Sequence, residues 1–219
     1  MKKTLIVFMT SLMSAFYVHA QIPLMKVVTE KVKTLKQSGV DTIITYHPYC
    51  GGCILTGIST SEKCFQNIRQ YVIWQKNKES YVQFFDECYT YSPQKGGSAF
   101  IALLSKNASV IMQEKLLPVE FEKLYDGKVQ RFTSWVDHSD HQNFVFYLNG
   151  DTVEKPIDNY VLDTRWEGDY SRGTDDKRTI PPPGKPVNIN YAKNQTTYLK
   201  KLKDLVEQEI EKITFTKSP

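Results

Sequence analysis

The segment YVIWQKNKESYVQFF, residues 71–85, indicates the fold more directly than any other part of the sequence. Two runs of β-branched and aromatic residues, 71–75 and 81–85, flank the polar stretch Lys76-Asn77-Lys78-Glu79. Such runs on either side of a short polar turn are typical of a β-hairpin. We therefore expect two antiparallel strands here, with Gln75 facing Ser80.

Two further segments carry strand signals. Asp41–Tyr46 is a β-branched run that we expect to end at Pro48, with the following residues in a loop. Asn143–Leu148 is apolar and aromatic, and it is followed by Asn149-Gly150, a strong signal for a two-residue hairpin turn. The sequence therefore predicts a second hairpin, whose returning strand covers residues 151–155.

Amphipathic helices are predicted at both ends of the mature chain. Apolar residues recur at helical spacing over Leu24–Ser38, and Gly39 is placed to cap that helix. A second helix over Thr197–Ile213 has one apolar stripe opposite a Lys- and Glu-rich face. Helices at both ends and hairpins between them predict an α+β fold with a mainly antiparallel sheet, an N-terminal helix and a long C-terminal amphipathic helix.

The middle of the chain gives weaker signals. Residues 100–117 are apolar and fit either a helix or a strand, whereas Pro118 favours a short helix over Val119–Tyr125. Residues 164–186 are polar and rich in glycine and proline, which indicates a long surface loop or linker. We expect a single α+β domain over residues 21–219.

Residues 1–20 have the pattern of a secretory signal peptide. Lys2 and Lys3 precede an uncharged apolar run, and Val18-His19-Ala20 resembles a cleavage site before Gln21. The run is shorter than the ~20 apolar residues of a spanning helix. We therefore expect an exported soluble protein, periplasmic or extracellular, with no membrane insertion after cleavage. Cleavage lowers the formal net charge from +4 to +2, because it removes two lysines and no acid; that charge is too small to indicate nucleic-acid binding.

The chain contains four cysteines, an even number that in an exported protein indicates disulfides. Cys64 precedes the 71–85 hairpin and Cys88 follows it, so both lie near its open end. They can pair with each other, or either can pair with Cys50 or Cys53. The spacing leaves the connectivity open.

The stretch around the first two cysteines also suggests redox chemistry. A strand at Asp41–Tyr46, then His47-Pro48-Tyr49, then Cys50-Gly51-Gly52-Cys53 resembles the strand, aromatic turn and Cys-x-x-Cys motif of thioredoxin-like proteins. Pro93 follows Cys50 by 43 residues, near the position of that family's cis-proline. The resemblance implies a thiol–disulfide oxidoreductase in which Cys50 attacks and Cys53 resolves.

Two observations favour a structural disulfide over that alternative. Residues 54–61 are glycine-, serine- and threonine-containing and form helices poorly, whereas a thioredoxin-like site needs a helix there. The segment that follows looks like a hairpin. A zinc site made from His47, Cys50 and Cys53 is a third interpretation, but the spacings to the other cysteines fit no common zinc pattern.

The segment Asp137-His138-Ser139-Asp140-His141 is the densest group of titratable side chains. His138 and His141 are conceivable metal ligands or an acid–base pair. We expect instead a solvated turn before the strand at Phe144, because no third ligand at a diagnostic spacing appears elsewhere.

Taken together, these patterns favour an exported, non-catalytic binding protein stabilised by disulfides. The sequence lacks the common hydrolase, nucleotide and dinucleotide motifs, and no cofactor is indicated. The partner would be a protein, a peptide or a glycan. Trp74, Tyr81 and Phe85 are the candidate binding residues, with an aromatic core as the alternative interpretation of the same residues.

Overall fold

The computed structural model describes residues 24–52, 68–87, 89–136, 139–162 and 188–218. The predicted signal peptide, Cys53, Cys64, Cys88, His138 and the predicted loop 164–186 lie outside these residues. Among the described residues, no helix is both long enough and apolar enough to cross a membrane.

The fold is α+β, as the sequence predicted, and its centre is a six-stranded antiparallel sheet. The strands follow the order β4-β3-β2-β1-β7-β8 across the sheet. A separate two-stranded ribbon is formed by β5 and β6. The strands are β1 (Thr42–Gly51), β2 (Arg69–Lys76), β3 (Glu79–Asp86), β4 (Gln94–Lys95), β5 (Val119–Tyr125), β6 (Lys128–Ser134), β7 (Ser139–Leu148) and β8 (Asp151–Asp158).

Helices cover both faces of the sheet. They are α1 (24–37), α2 (Ser98–Gln113), α3 (Tyr191–Thr196) and α4 (Tyr198–Glu211), with a short 3₁₀ helix at Asn159–Leu162. One face packs Ile44, Ile73 and Phe146 against α2 and α4. The other face packs Ile43 and Val72 against α1. Because the central strands are buried on both faces, their apolar residues occur in runs and do not simply alternate with polar ones.

The turns that the sequence predicted are present. Gln75 pairs with Ser80, and Asn77 and Lys78 both adopt positive φ, as a two-residue hairpin turn of type I′ requires. The Asn149-Gly150 turn between β7 and β8 has the same character, with φ of 50° and 94°.

Gly39 ends α1 as predicted. Its φ is +76°, its N–H donates to the carbonyl of Lys36, and the N–H of Val40 donates to the carbonyl of Leu35. This pair of bonds is a Schellman motif, and the contact between buried Val40 and Leu35 in the α1 cluster completes it.

The prediction of a short helix over Val119–Tyr125 is wrong, because this segment is the strand β5. Its register with β6 runs from Val119 opposite Ser134 to Tyr125 opposite Lys128. The turn between the strands is Asp126-Gly127, and both residues have positive φ. Pro118 is compatible with the start of a strand as well as with a first helical turn, and the residues that follow alternate in a strand-like way.

The expected end of the first strand at Pro48 is also wrong, since β1 continues to Gly51. Pro48 pairs with Gln142 of β7, but β1 pairs with β2 only as far as Tyr46. Beyond Tyr46, β1 is thus an edge strand within the described chain, and an edge strand accommodates a residue that has no N–H.

Candidate functional site

The aromatic residues of the first hairpin are placed in the core. Trp74 is 5% exposed and Phe85 1% exposed, and both pack in the cluster that α1 covers. Tyr81 is partly buried, and its ring stacks on Trp74 with centroids 5.5 Å apart. Lys31 of α1 lies over the indole at 4.6 Å, and burial lowers the pKa of this lysine. The aromatic core therefore accounts for Trp74 and Phe85 without a binding partner.

The opposite face of the same hairpin is also occupied. Tyr71 stacks on Phe84 at 5.0 Å, and Phe84 contacts Tyr91 at 4.6 Å and Phe215 at 5.5 Å. Aromatic cross-strand contacts of this kind stabilise a sheet. Aromatic residues on both faces of the hairpin therefore pack against other described residues.

Cys50 lies within β1, opposite Asp140 of β7. The other three cysteines lie outside the described residues, so the disulfide of Cys50 and its connectivity stay a prediction. The peptide bond before Pro93 is trans. A reactive thiolate is stabilised by a cation or a helix N-terminus, whereas Cys50 has a strand on one side and an acidic cross-strand neighbour. The cis-proline that the thioredoxin-like resemblance implies is therefore absent at Pro93, whereas Cys53 and the segment after it lie outside the described residues.

A ladder of rings occupies the polar end of the sheet, on the face that α1 covers elsewhere. His47 contacts Tyr49 at 5.2 Å, and Tyr49 stacks on His141 at 5.2 Å. The Nε2 atom of His47 is buried and has no hydrogen-bond partner among the described residues, and burial lowers the pKa of this histidine. Tyr49 is 42% exposed, so this ladder has a solvent-facing side.

His141 does not form a catalytic or metal-binding group with its described neighbours. Its Nε2 is 2.9 Å from the Ser139 hydroxyl, but its Nδ1 is 3.9 Å from Asp158, too far for a hydrogen bond. The same Asp158 oxygen accepts from the backbone N–H of Tyr160 at 2.9 Å. Within the described ranges, no three His, Cys, Asp or Glu side chains are placed to hold a metal ion. The expected solvated turn at Ser139–His141 is replaced by the start of β7.

The ribbon formed by β5 and β6, which we call the β arm (Val119–Ser134), carries several exposed side chains. Val129 is 66% exposed, the Arg131 side chain is 60% exposed, and Trp135, directly after β6, is 76% exposed. On the other face of the ribbon, Phe121 stacks on Phe132 at 5.7 Å. The arm thus exposes apolar and cationic groups while its aromatic pair lies on the opposite face.

Buried asparagines hold the base of the β arm. Asn188, 2% exposed, accepts from the backbone N–H of Glu120 at 3.3 Å, and Asn190 donates to the carbonyl of Pro118 at 2.9 Å. The N–H of Ile189 also donates to the carbonyl of Glu120 at 2.8 Å. These bonds join the inner edge of β5 to the segment before α3, so the start of the arm is fixed to the body.

The sequence reasoning missed the β arm because it assigned Val119–Tyr125 to a helix. The available signals were the alternation of Val119 and Phe121 with glutamates, the Asp126-Gly127 turn, and the β-branched and aromatic residues of the segment after the turn, Val129, Phe132 and Thr133. Trp135, the most exposed of the large apolar residues described, had no signal of its own.

The fold and its surfaces define an antiparallel α+β protein with a helix layer on each sheet face and a projecting β ribbon. The sequence matches no protein-family model, and neither a curated protein nor a solved structure matches it.

Proposed function

We propose that this is an exported, non-catalytic binding protein and that the β arm with Trp135 is its binding element. The observation that carries the proposal is the exposure of Val129, Arg131 and Trp135 on an ordered ribbon fixed at its base. An exposed tryptophan and arginine are the side chains most enriched among residues that dominate binding energy at interfaces. A fixed ribbon also loses little conformational entropy when it binds.

The described surface supports binding better than catalysis. Among the described residues, no carboxylate is aligned with the Ser139–His141 hydrogen bond. Asp158 is 3.9 Å from Nδ1 of His141, and its nearer oxygen accepts a hydrogen bond from the backbone N–H of Tyr160. A nucleophile with its base requires a third group that orients the base. The cysteines take a structural role in this proposal, as disulfides that stabilise an exported chain.

A direct test uses the purified chain after export, with two ligand libraries. A random peptide library and a glycan array would each be screened with the wild-type protein and with a Val129→Asp, Trp135→Ala double variant. We expect ligands that bind the wild type and are lost with the double variant. Ligands bound equally by both proteins, or no enriched ligands at all, would refute the assignment to the β arm.

Export and the oxidoreductase alternative are tested on the same material. Mass spectrometry of the secreted fraction should show an N-terminus at Gln21. Non-reducing peptide mapping should give a Cys50 disulfide that does not exchange with glutathione. A Cys50–Cys53 bond that equilibrates readily with glutathione would instead support the thiol–disulfide oxidoreductase.

A further inference from the structure

The outer edge of β6 has the properties of a docking site for a polypeptide strand. In the register of the arm, β6 pairs with β5 on one side, and no other described strand pairs with it. Residues Lys128–Arg131 are all exposed. An edge strand carries a row of backbone N–H and C=O groups that another chain can pair with. Strand addition at such an edge is a general mode of peptide recognition.

The side chains along β6 restrict what kind of strand fits. Every second residue of a strand lies on the same face, so Val129, Arg131 and Thr133 share one face of the ribbon. Arg131 lies opposite Glu122 of β5, and its Nη2 is 3.1 Å from a carboxylate oxygen of that residue. Its Nη1 is also 3.9 Å from a carboxylate oxygen of Glu120, which is an ion pair but too long for a hydrogen bond. The guanidinium has five N–H donors, so donors remain for a further carboxylate on the outer side.

The charge of β6 favours an acidic partner over a second copy of the same strand. The strand carries Lys128 and Arg131 and no acidic residue. Two β6 strands paired with each other at Arg131 would place two guanidinium groups directly opposite one another on the same face. Like charges across paired strands are destabilising, whereas opposite charges stabilise the pair.

We infer that the β arm binds an extended acidic segment of another protein, which adds to the outer edge of β6 as a third strand. An acidic side chain of that segment lies opposite Arg131, and an apolar side chain two positions away lies opposite Val129. Trp135, at the end of the strand, covers the adjacent part of the segment. This inference rests on the proposed binding function and specifies the partner's conformation and charge.

The test uses a synthetic heptapeptide, Thr-Val-Thr-Glu-Thr-Val-Thr, whose alternate residues present Val, Glu and Val on one face in either direction. A second peptide has Lys in place of the central Glu. A third peptide has the Glu sequence but carries methyl groups on alternate backbone nitrogens, which removes the N–H groups that would pair with β6. Each is titrated to millimolar concentration while hydrogen exchange of the backbone amides of 128–133 is measured. We expect the Glu peptide to bind about fivefold more tightly than the Lys peptide and to slow exchange on β6. The methylated peptide should do neither.

A charge-exchanged protein serves as the matched control. Glu122→Arg combined with Arg131→Glu keeps an ion pair within the arm and reverses the charge that faces the outer edge. This variant should prefer the Lys peptide. Equal binding of both peptides, an unchanged preference in the variant, or no protection of β6 would overturn the inference. Protection of β6 that rises with protein concentration alone would overturn it in favour of a second copy.

The outcomes separate this inference from the proposed function. Library ligands that are lost with Val129→Asp and Trp135→Ala but neither protect β6 nor contain an acidic residue would leave the proposed function standing and refute strand addition. Ligands insensitive to those substitutions would refute both.

Discussion

Asn194 pairs through its side-chain amide with both backbone groups of Leu117. Its Oδ1 accepts from the N–H of Leu117 at 2.9 Å, and its Nδ2 donates to the carbonyl of Leu117 at 2.9 Å. The same Nδ2 donates to the carbonyl of Val161 at 2.9 Å. Asn194 is fully buried, so one side chain joins α3, the segment before the β arm and the end of the 3₁₀ helix.

We expect Asn194→Asp to lower the free energy of unfolding by about 3 kcal/mol or more. The carboxylate has the same shape but cannot donate, so the Leu117 carbonyl would lose its side-chain donor and the Val161 carbonyl would keep only the amide of Asn188. The substitution would also place a buried charge beside both carbonyls. Urea denaturation measures the change. Gln130→Glu makes the same chemical change at an exposed position of β6 and should alter stability by less than about 0.5 kcal/mol. Similar values for the two variants would contradict this account of Asn194.

The burial of Asn194 also bears on glycosylation. Asn194-Gln195-Thr196 matches the acceptor pattern, yet both hydrogens of Nδ2 are used in bonds to backbone carbonyls. Once the protein is folded, this amide is not accessible to a glycosyltransferase.

Trp74 and Trp135 differ strongly in exposure, with 5% of the surface of Trp74 and 76% of that of Trp135 accessible to solvent. The same substitution at the two positions is therefore a matched comparison. We expect Trp74→Ala to destabilise the protein by about 3–5 kcal/mol, because it leaves a cavity beneath α1. Trp135→Ala should change stability by less than about 0.5 kcal/mol and should weaken ligand binding. Thermal unfolding with the intrinsic fluorescence of the remaining tryptophans distinguishes them. A stable Trp74→Ala variant that loses ligand would restore the hairpin as the binding site.

His47 should make the stability of the protein depend on pH. Burial lowers its pKa below the ordinary value of 6.5, so below that pH the unfolded chain binds a proton at His47 more readily than the folded chain. The contribution of neutral His47 to the free energy of unfolding is fully present above pH 6.5. It is lost as the pH falls through the lowered pKa of His47 in the folded state. His47→Phe keeps a ring against Tyr49 and cannot titrate. Denaturation between about pH 7 and pH 4 should therefore show a shallower loss for the variant than for the wild type. If the free energy of unfolding falls equally with pH in both proteins, His47 is not the source of the pH dependence.

The parts of the fold that sequence predicted are those specified by local chemistry. The register at Gln75 and Ser80 follows from a two-residue turn between two β-branched runs, and Gly39 ends α1 because its backbone adopts positive φ. The C-terminal helix begins one residue after the predicted boundary, with Thr197 as its N-cap, whose hydroxyl accepts from the N–H of Lys200 at 3.2 Å.

The parts that sequence did not predict depend on residues distant in the chain. Pro48 lies within a strand only because β2 stops pairing with β1 beyond Tyr46. Asn188 and Asn194 lie among other polar residues in the sequence, so nothing local predicts their burial. Their side chains are buried because they hydrogen-bond to backbone groups of Glu120, Leu117 and Val161. The sequence suggested Trp74 and Phe85 as binding residues, and both are buried in the structure. Periodicity alone does not say which face of a strand another element covers.

The contact between Gly51 and His141 gives a final prediction, for the polar end of the sheet. A Cβ atom at Gly51 would lie 2.8 Å from Nε2 of His141 and 2.9 Å from its Cδ2. Gly51→Ala would therefore push the imidazole away from Ser139, whose hydroxyl is 2.9 Å from the same nitrogen. We expect a loss of about 1–2 kcal/mol in the free energy of unfolding, together with a shift of the His141 ring resonances. The matched control is His141→Ala, alone and combined with Gly51→Ala. In the His141→Ala background the added methyl group has space, so the second substitution should cost much less. Additive effects in this double-mutant cycle would show that the ring is not held against Gly51.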